Sequence, residues 1–230
     1  AVARLIPGAI GLESLKEELS KSANFTYITA DLANEKTWEV IIETLKRKRY
    51  IPDVVIFNAA TWEKKFVTEF SYESLERMHK VNFLSVMKGL SLLFPYCKKR
   101  KTHFIAISTL SALWGSAEEG IGYPASKAAL TNAFEGLYQK FRKTNFIFTT
   151  ISLGPIKMSS NSFKLFRPFQ ISSKDAVNLI EKGIREKKPA YSSPALLFWF
   201  FGFLRLLPLR LKLWTFSVIN SLHPYHLQKN

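Results

Sequence analysis

A chain of 230 residues, 47% hydrophobic and 22% charged, is long enough for one sizeable core, and its single cysteine, Cys97, excludes an internal disulfide scaffold. The formal charge of +15 favours anionic partners, such as a phosphate-bearing cofactor or an anionic membrane surface. There is no nucleic-acid motif and no Cys/His cluster with metal-ligand spacing, so neither nucleic acid nor a metal is expected.

Ala1–Ile6 reads as a short strand and Leu12–Lys21 as a helix with Leu12, Leu15 and Leu19 on one face. Phe25–Thr29 is a strand, and Glu35–Lys48 a helix whose apolar side carries Trp38, Val40, Ile41, Ile42 and Leu45. Asp53–Phe57 (DVVIF) is a strand of the buried type. A long helical stretch covers Tyr72 to Cys97, with a break expected near Pro95. His103–Ser108 is a strand, Tyr123–Arg142 a helix and Asn145–Leu153 a strand. Ser173–Glu186 is a helix with Ser173 as its candidate cap.

Strands separated by helical segments indicate βαβ units on a parallel sheet. The strands are apolar throughout, as in a sheet covered on both faces. The expected fold is α/β: a doubly wound, Rossmann-like parallel sheet in three layers, αβα. It should span residues 1–190, with an apolar, basic helical tail over 191–230. Ligands in such sheets bind beyond the carboxyl ends of the strands. That directs attention to Asp31, Asn58, Ser108, Thr109 and Gly154.

Tyr123 and Lys127 lie four residues apart on one helical face. A phenol loses its proton near pH ~10, and a neighbouring ammonium lowers that value. The pair is a device for exchanging a proton with a carbonyl or alcohol oxygen near neutral pH. Small residues surround it (Gly122, Ala125, Ser126, Ala128, Ala129) and allow close approach of a backbone or a flat ring. Upstream stand a strand ending Ile-Ser-Thr-Leu-Ser-Ala, Asn58-Ala59-Ala60 at a strand end, and Asn82 in an apolar helix. Downstream is Gly154-Pro155-Ile156.

Together, in this order, these residues resemble the short-chain dehydrogenase/reductase family from about Ala1 to Glu186. Tyr123-Pro-Ala-Ser-Lys127 is similar to the family's Tyr-x-[Ala/Ser]-Ser-Lys and is the most specific stretch. Asp31-Leu32 resembles the acidic position beside the cofactor adenine. Asn58-Ala59-Ala60 resembles part of Asn-Asn-Ala-Gly, with Phe57 and Ala60 departing from it. Asn82 resembles the asparagine that holds a water against the lysine. Gly154 and Ile156 resemble the turn against the nicotinamide, with Leu153 in place of a proline and Met158 in place of a common threonine.

The resemblance implies an NAD(P)-dependent oxidoreductase that interconverts a carbonyl and an alcohol by hydride transfer. Tyr123 would exchange the proton, Lys127 would lower its pKa and bind the nicotinamide ribose, and Asn82 would complete a proton path. A hydroxyl polarises the carbonyl. The family's spacing falls on Leu110, so Thr109 takes the role by position at the strand end, with Ser111 and then Ser108 as alternatives. NADP is favoured slightly over NAD by the net charge. A homodimer or homotetramer built on the helices holding Asn82 and Tyr123 is the implied assembly.

The family's opening strand and Gly-x-x-x-Gly-x-Gly turn have no counterpart here. Ala1–Leu5 matches the second strand, and Gly8-Ala9-Ile10-Gly11 stands too late. Loss of the first βα unit should leave two unpaired strand edges and an apolar slot. The competing expectation is a truncated, non-catalytic relative that binds a membrane or a partner. After Glu186 there is no acidic residue, and Ala195–Leu204 is apolar but too short to span a bilayer. Trp199, Trp214, Arg205, Arg210 and Lys212 suggest an interfacial anchor, a dimer interface or a lid being the alternatives. The expected location is cytoplasmic, peripheral at a membrane surface. The loop Lys157–Gln170, with Phe163, Phe166 and Phe169, points to a hydrophobic substrate.

Overall fold

The computed structural model describes residues 2–3, 28–62, 71–114, 120–157 and 169–221. The expected helix over Leu12–Lys21, Gly8–Gly11, Met158 and most of the Lys157–Gln170 loop lie outside them.

Apolar runs rich in β-branched and aromatic residues form the strands. A two-stranded parallel sheet pairs β1 (Val2–Ala3) with β2 (Ile28–Thr29). A four-stranded parallel sheet has the order β3 (Val54–Phe57), β4 (Thr102–Thr109), β5 (Phe146–Leu153), β6 (Ala190–Ser193). From β2 onward, each connection carries a helix among the described residues. α1 (Thr37–Arg47) precedes β3. α2 (Tyr72–His79), a π-helical turn (Lys80–Leu84) and α3 (Ser85–Cys97) lead to β4. α4 (Gly122–Phe141) leads to β5, and α5 (Ser173–Glu186) to β6.

Alternation along β4 separates the two faces of the sheet. Phe104 and Ala106 face α1, α3 and α4, in a cluster with Trp38, Leu90, Leu130, Phe134 and Phe148. Ile105 and Ile107 face α5, with Ile151, Leu153 and Ala176. The three-layer αβα fold is therefore as read from the sequence. Close packing sets one glycine: a Cβ on Gly89 of α3 would press into the Trp38 indole of α1.

Several local expectations differ from the structure. Tyr72–Cys97 does not break at Pro95, which sits inside the last turn of α3, where only one hydrogen bond is forfeited. The irregularity falls instead on the π turn containing Asn82. The cap of α5 is Ser172, not Ser173. Its Oγ accepts from the Asp175 amide (3.1 Å), and Asp175 Oδ2 accepts from the Ser172 amide (3.1 Å), a reciprocal box. The strand β6, polar and four residues long, was not expected. It exists because β5 offers a parallel edge from Thr150 to Leu153.

The outer edge of β3 carries no partner among the described residues, and Val54 and Ile56 are 38% and 41% exposed there. The tail forms α6 (Ala195–Leu206) and α7 (Leu209–Ser221). α6 buries Leu197, Phe201 and Leu204 against Leu110, Leu113 and Trp114.

Candidate active site

β4 ends at Thr109, and α4 begins beside it at Gly122. Tyr123, half-buried, is the second residue of α4, and Lys127 follows one turn later. Lys127 is 2% exposed, and its Nζ donates to the Ile107 carbonyl of β4 at 2.8 Å. No carboxylate pairs with it among the described residues. Taking an ammonium out of water disfavours its charged form, and burial pushes the Lys127 amine down to about 8. It remains mostly protonated at neutral pH, which places a positive charge one turn from a phenol.

Asn82 is fully buried in the π turn, a kind of helix irregularity that re-aims side chains. Its Oδ1 accepts from the Thr61 amide (2.7 Å), and its Nδ2 donates to the Thr61 carbonyl (2.9 Å) and to Ser126 Oγ (3.0 Å). Ser126 Oγ in turn donates to the Tyr123 carbonyl (2.8 Å). The side chain of Asn82 thus ties the segment after β3 to the first turn of α4.

The three candidate hydroxyls separate cleanly. Ser108 Oγ lies beneath α4, 2.7 Å from Thr131 Oγ1, and is not placed beside the others. Thr109 Oγ1 and Ser111 Oγ are 2.8 Å apart, and Thr109 also caps the short 3-10 turn Leu110–Leu113 by accepting from the Ser111 amide (3.3 Å). The two at the strand end form one hydroxyl pair.

On the other side of the sheet end, Asn58, Ala59 and Ala60 are exposed just past β3. Asp31 follows β2 but is engaged locally. Its Oδ1 accepts from the Ala33 amide (3.0 Å), and its Oδ2 pairs with Arg77 of α2 at 3.3 Å. Leu32 packs against the main core. Gly154 donates its amide to the Ser193 carbonyl (2.7 Å), and a Cβ there would meet Pro194 Cδ at 2.7 Å. Ile156 bridges Ile171. Gly122, expected to admit a backbone or a flat ring, instead accommodates Met78 of α2.

Thr61, Arg77 and Thr131 were not singled out from the sequence. Ser126 was noted there as a small residue inside the Tyr-x-x-Ser-Lys pattern, and its link between Asn82 and Tyr123 was not. Arg77 is 46 positions from Asp31 and gave no local signal. A cavity of about 480 Å3 lies on a different face of α4, lined by Leu113, Trp114, Ile121, Ala125, Arg205 and Lys212. Tyr123 and Lys127 do not line it.

The short chain dehydrogenase family matches this chain over residues 7–166. An NADPH-dependent pterin aldehyde reductase of Arabidopsis thaliana is 30% identical over 133 residues, 57% of this chain and 53% of that protein. The chain therefore spans about half the length of that relative. Among solved structures, a short-chain dehydrogenase from Streptomyces avermitilis superposes with a TM-score of 0.73 at 15% identity, covering 96% of this chain and 86% of the other. A 4-hydroxyisoleucine dehydrogenase complexed with NADH gives 0.69 at 20% identity, covering 78% and 82%. With more than half of its length matched and the fold shared, the chain belongs to the short chain dehydrogenase family.

Proposed function

We propose that this chain is the body of an NAD(P)-dependent oxidoreductase that interconverts a hydrophobic carbonyl and its alcohol, with Tyr123 as the proton-exchanging group. The observation that carries the reading is Lys127: buried, without a carboxylate and one helical turn from Tyr123. Two of its three N–H groups have no acceptor among the described residues, which fits a ligand bearing vicinal hydroxyls such as the nicotinamide ribose. A nicotinamide bound there would supply the hydride that reduces the carbonyl carbon, or take it from the alcohol carbon in the reverse direction. Tyr123 Oη gives its proton to the carbonyl oxygen, and the positive charge of Lys127 stabilises the phenolate left behind.

In this reading Asn82 positions α4 through Ser126, and the Thr109–Ser111 pair donates to the carbonyl oxygen. Asn58, Ala59, Ala60, Gly154 and Ile156 border the cofactor. Asp31 meets the adenine side from a turn that Arg77 holds, and Leu32 contributes backbone there. The relative that uses NADPH and the neighbour that binds NADH leave both cofactors in play, with NADP favoured by the charge of the chain. The edge of β3, unpaired among the described residues, has room for a further parallel strand, whose following turn would be the place for the cofactor phosphates.

The test is reduced-nicotinamide oxidation with a series of aldehydes and ketones of rising apolar size, run on this chain and on one extended by its native upstream residues. Turnover that prefers apolar substrates and falls by about 10²–10⁴ in Tyr123→Phe supports the reading. Turnover unchanged in Tyr123→Phe, or no cofactor binding by either chain, contradicts it.

A further inference from the structure

We infer that the outward face of α6, continued onto α7, docks on the surface of an anionic lipid bilayer, with both helices lying in the headgroup plane. The inference stands apart from the catalytic reading and rests on how the two helices distribute apolar and charged residues.

α6 is apolar on both sides. Leu197, Phe201 and Leu204 face inward, against Leu110 and its neighbours. Leu196, Trp199, Phe200, Phe203 and Leu206 recur at three- and four-residue steps along the opposite side, and all are exposed, Trp199 to 72% and Leu206 to 82%. On α7, Leu209, Leu211, Leu213, Trp214 and Val218 are exposed as well. Exposed apolar side chains in this number on two successive helices mark an interaction surface.

The charges on the same helices select the partner. Arg205 is the one ionisable residue of α6, and Arg210 and Lys212 are those of α7; Arg205 and Lys212 flank the cavity beside Trp114 and Ile121, at the border of the apolar face, and Arg210 is exposed. None of the three is ion-paired among the described residues, and the sequence has no acid beyond Glu186. A two-fold contact with a second copy would set these cations against their own equivalents, with no acid on the segment to offset them. Phosphate headgroups above acyl chains satisfy both features at once. Tryptophans suit that boundary, because the indole is apolar with one polar N–H.

Length decides how the helices sit. α6 has 12 residues and so spans roughly 18 Å, against a hydrocarbon thickness of about 30 Å. No helix among the described residues is long and apolar enough to cross a membrane.

The experiment is cosedimentation of the full chain with vesicles of phosphatidylcholine alone and with phosphatidylserine added, together with tryptophan emission. Binding to the anionic vesicles, a blue shift and release by salt are expected. Trp199→Ser/Phe203→Ser/Trp214→Ser, with unchanged circular dichroism, should stay in the supernatant. Arg205→Gln/Arg210→Gln/Lys212→Gln should lower partitioning on the order of a hundredfold, at about fivefold per cation. Wild-type chain that ignores anionic vesicles overturns the inference, as does equal binding to neutral vesicles. A soluble dimer dissociated by the tryptophan variant, with no vesicle binding, assigns the face to a second copy instead and overturns it too.

Discussion

Two regions of this molecule depart from the usual arrangement of charge outside and hydrocarbon inside, in opposite directions. Around β4 and α4 an ammonium is buried at 2% exposure with a carbonyl as its recorded partner, and an asparagine is wholly enclosed. Along α6 and α7 tryptophans and leucines stand in water. The first departure is supported on every side: Asn82 makes three hydrogen bonds, and Ser126 passes the link to Tyr123. The second has no hydrogen-bond network among the described residues, only ring contacts such as Phe198 with Trp199 and Phe200 with Phe201. A buried polar centre that is networked reads as chemistry held in place, whereas an exposed apolar face without a network reads as a contact still to be made.

Substitutions can break or sharpen this contrast, and the largest effect belongs at the buried charge. Lys127→Met should lower turnover on the order of a thousandfold, because the phenol loses its neighbouring cation. The same change should raise stability by about 1–3 kcal/mol. Burial holds the folded-state pKa of this amine below its unfolded value, so the unfolded chain binds more protons between about pH 8 and pH 10.5, and near neutrality the ammonium opposes folding. Thermal unfolding and kinetics on the same sample read both effects. A loss of activity together with a loss of stability would mean that the lysine is structural.

Acid should act next most strongly, through His103. Thr149 Oγ1 donates to the Lys188 carbonyl (2.8 Å), so His103 Nε2 donates to Thr149 Oγ1 (2.8 Å), and Nδ1 is buried without a hydrogen-bond partner among the described residues. Burial, helped by Lys187, pushes this imidazole down to about 4. The unfolded chain then binds the extra proton between about pH 6.5 and pH 4. Stability is intact above that window and falls by up to about 3 kcal/mol as pH drops through it. Denaturant titrations from pH 7 to pH 4 should show the decline, and His103→Gln should flatten it.

Gly89→Ala should cost about 1–3 kcal/mol, since the added methyl meets the Trp38 ring and α1 has to move from α3. Smallest of all, Trp199→Ser on the exposed face of α6 should change unfolding free energy by less than about 0.5 kcal/mol. A large loss there would show that the face is covered by the chain itself.

Much of the fold was legible because apolar runs and helical periodicity are local signals. β3, β4, β5, α1, α4 and α5 fall within a few residues of where the pattern put them. β6 was not legible, because Ala190–Ser193 is polar and becomes a strand only through the edge of β5. The π turn at Asn82 was missed for a similar reason: the helix tolerates it in exchange for the bonds to Thr61 and Ser126, 21 and 44 positions away. Tyr123 and Lys127 were found from spacing and context, and their burial was not, since sequence says little about depth. The three hydroxyls could not be ranked by counting. In the structure Ser108 turns toward Thr131, while Thr109 and Ser111 join.

The central claim is that Lys127 is a buried amine tuned toward neutral pH beside Tyr123. The direct measurement is an NMR pH titration of lysine side chains labelled at Cε, with Lys127→Met to assign the resonance. A midpoint near 8 for Lys127 agrees with the structure. A midpoint in the ordinary lysine range, near ~10.4, would contradict it and remove the basis for assigning proton exchange to this pair.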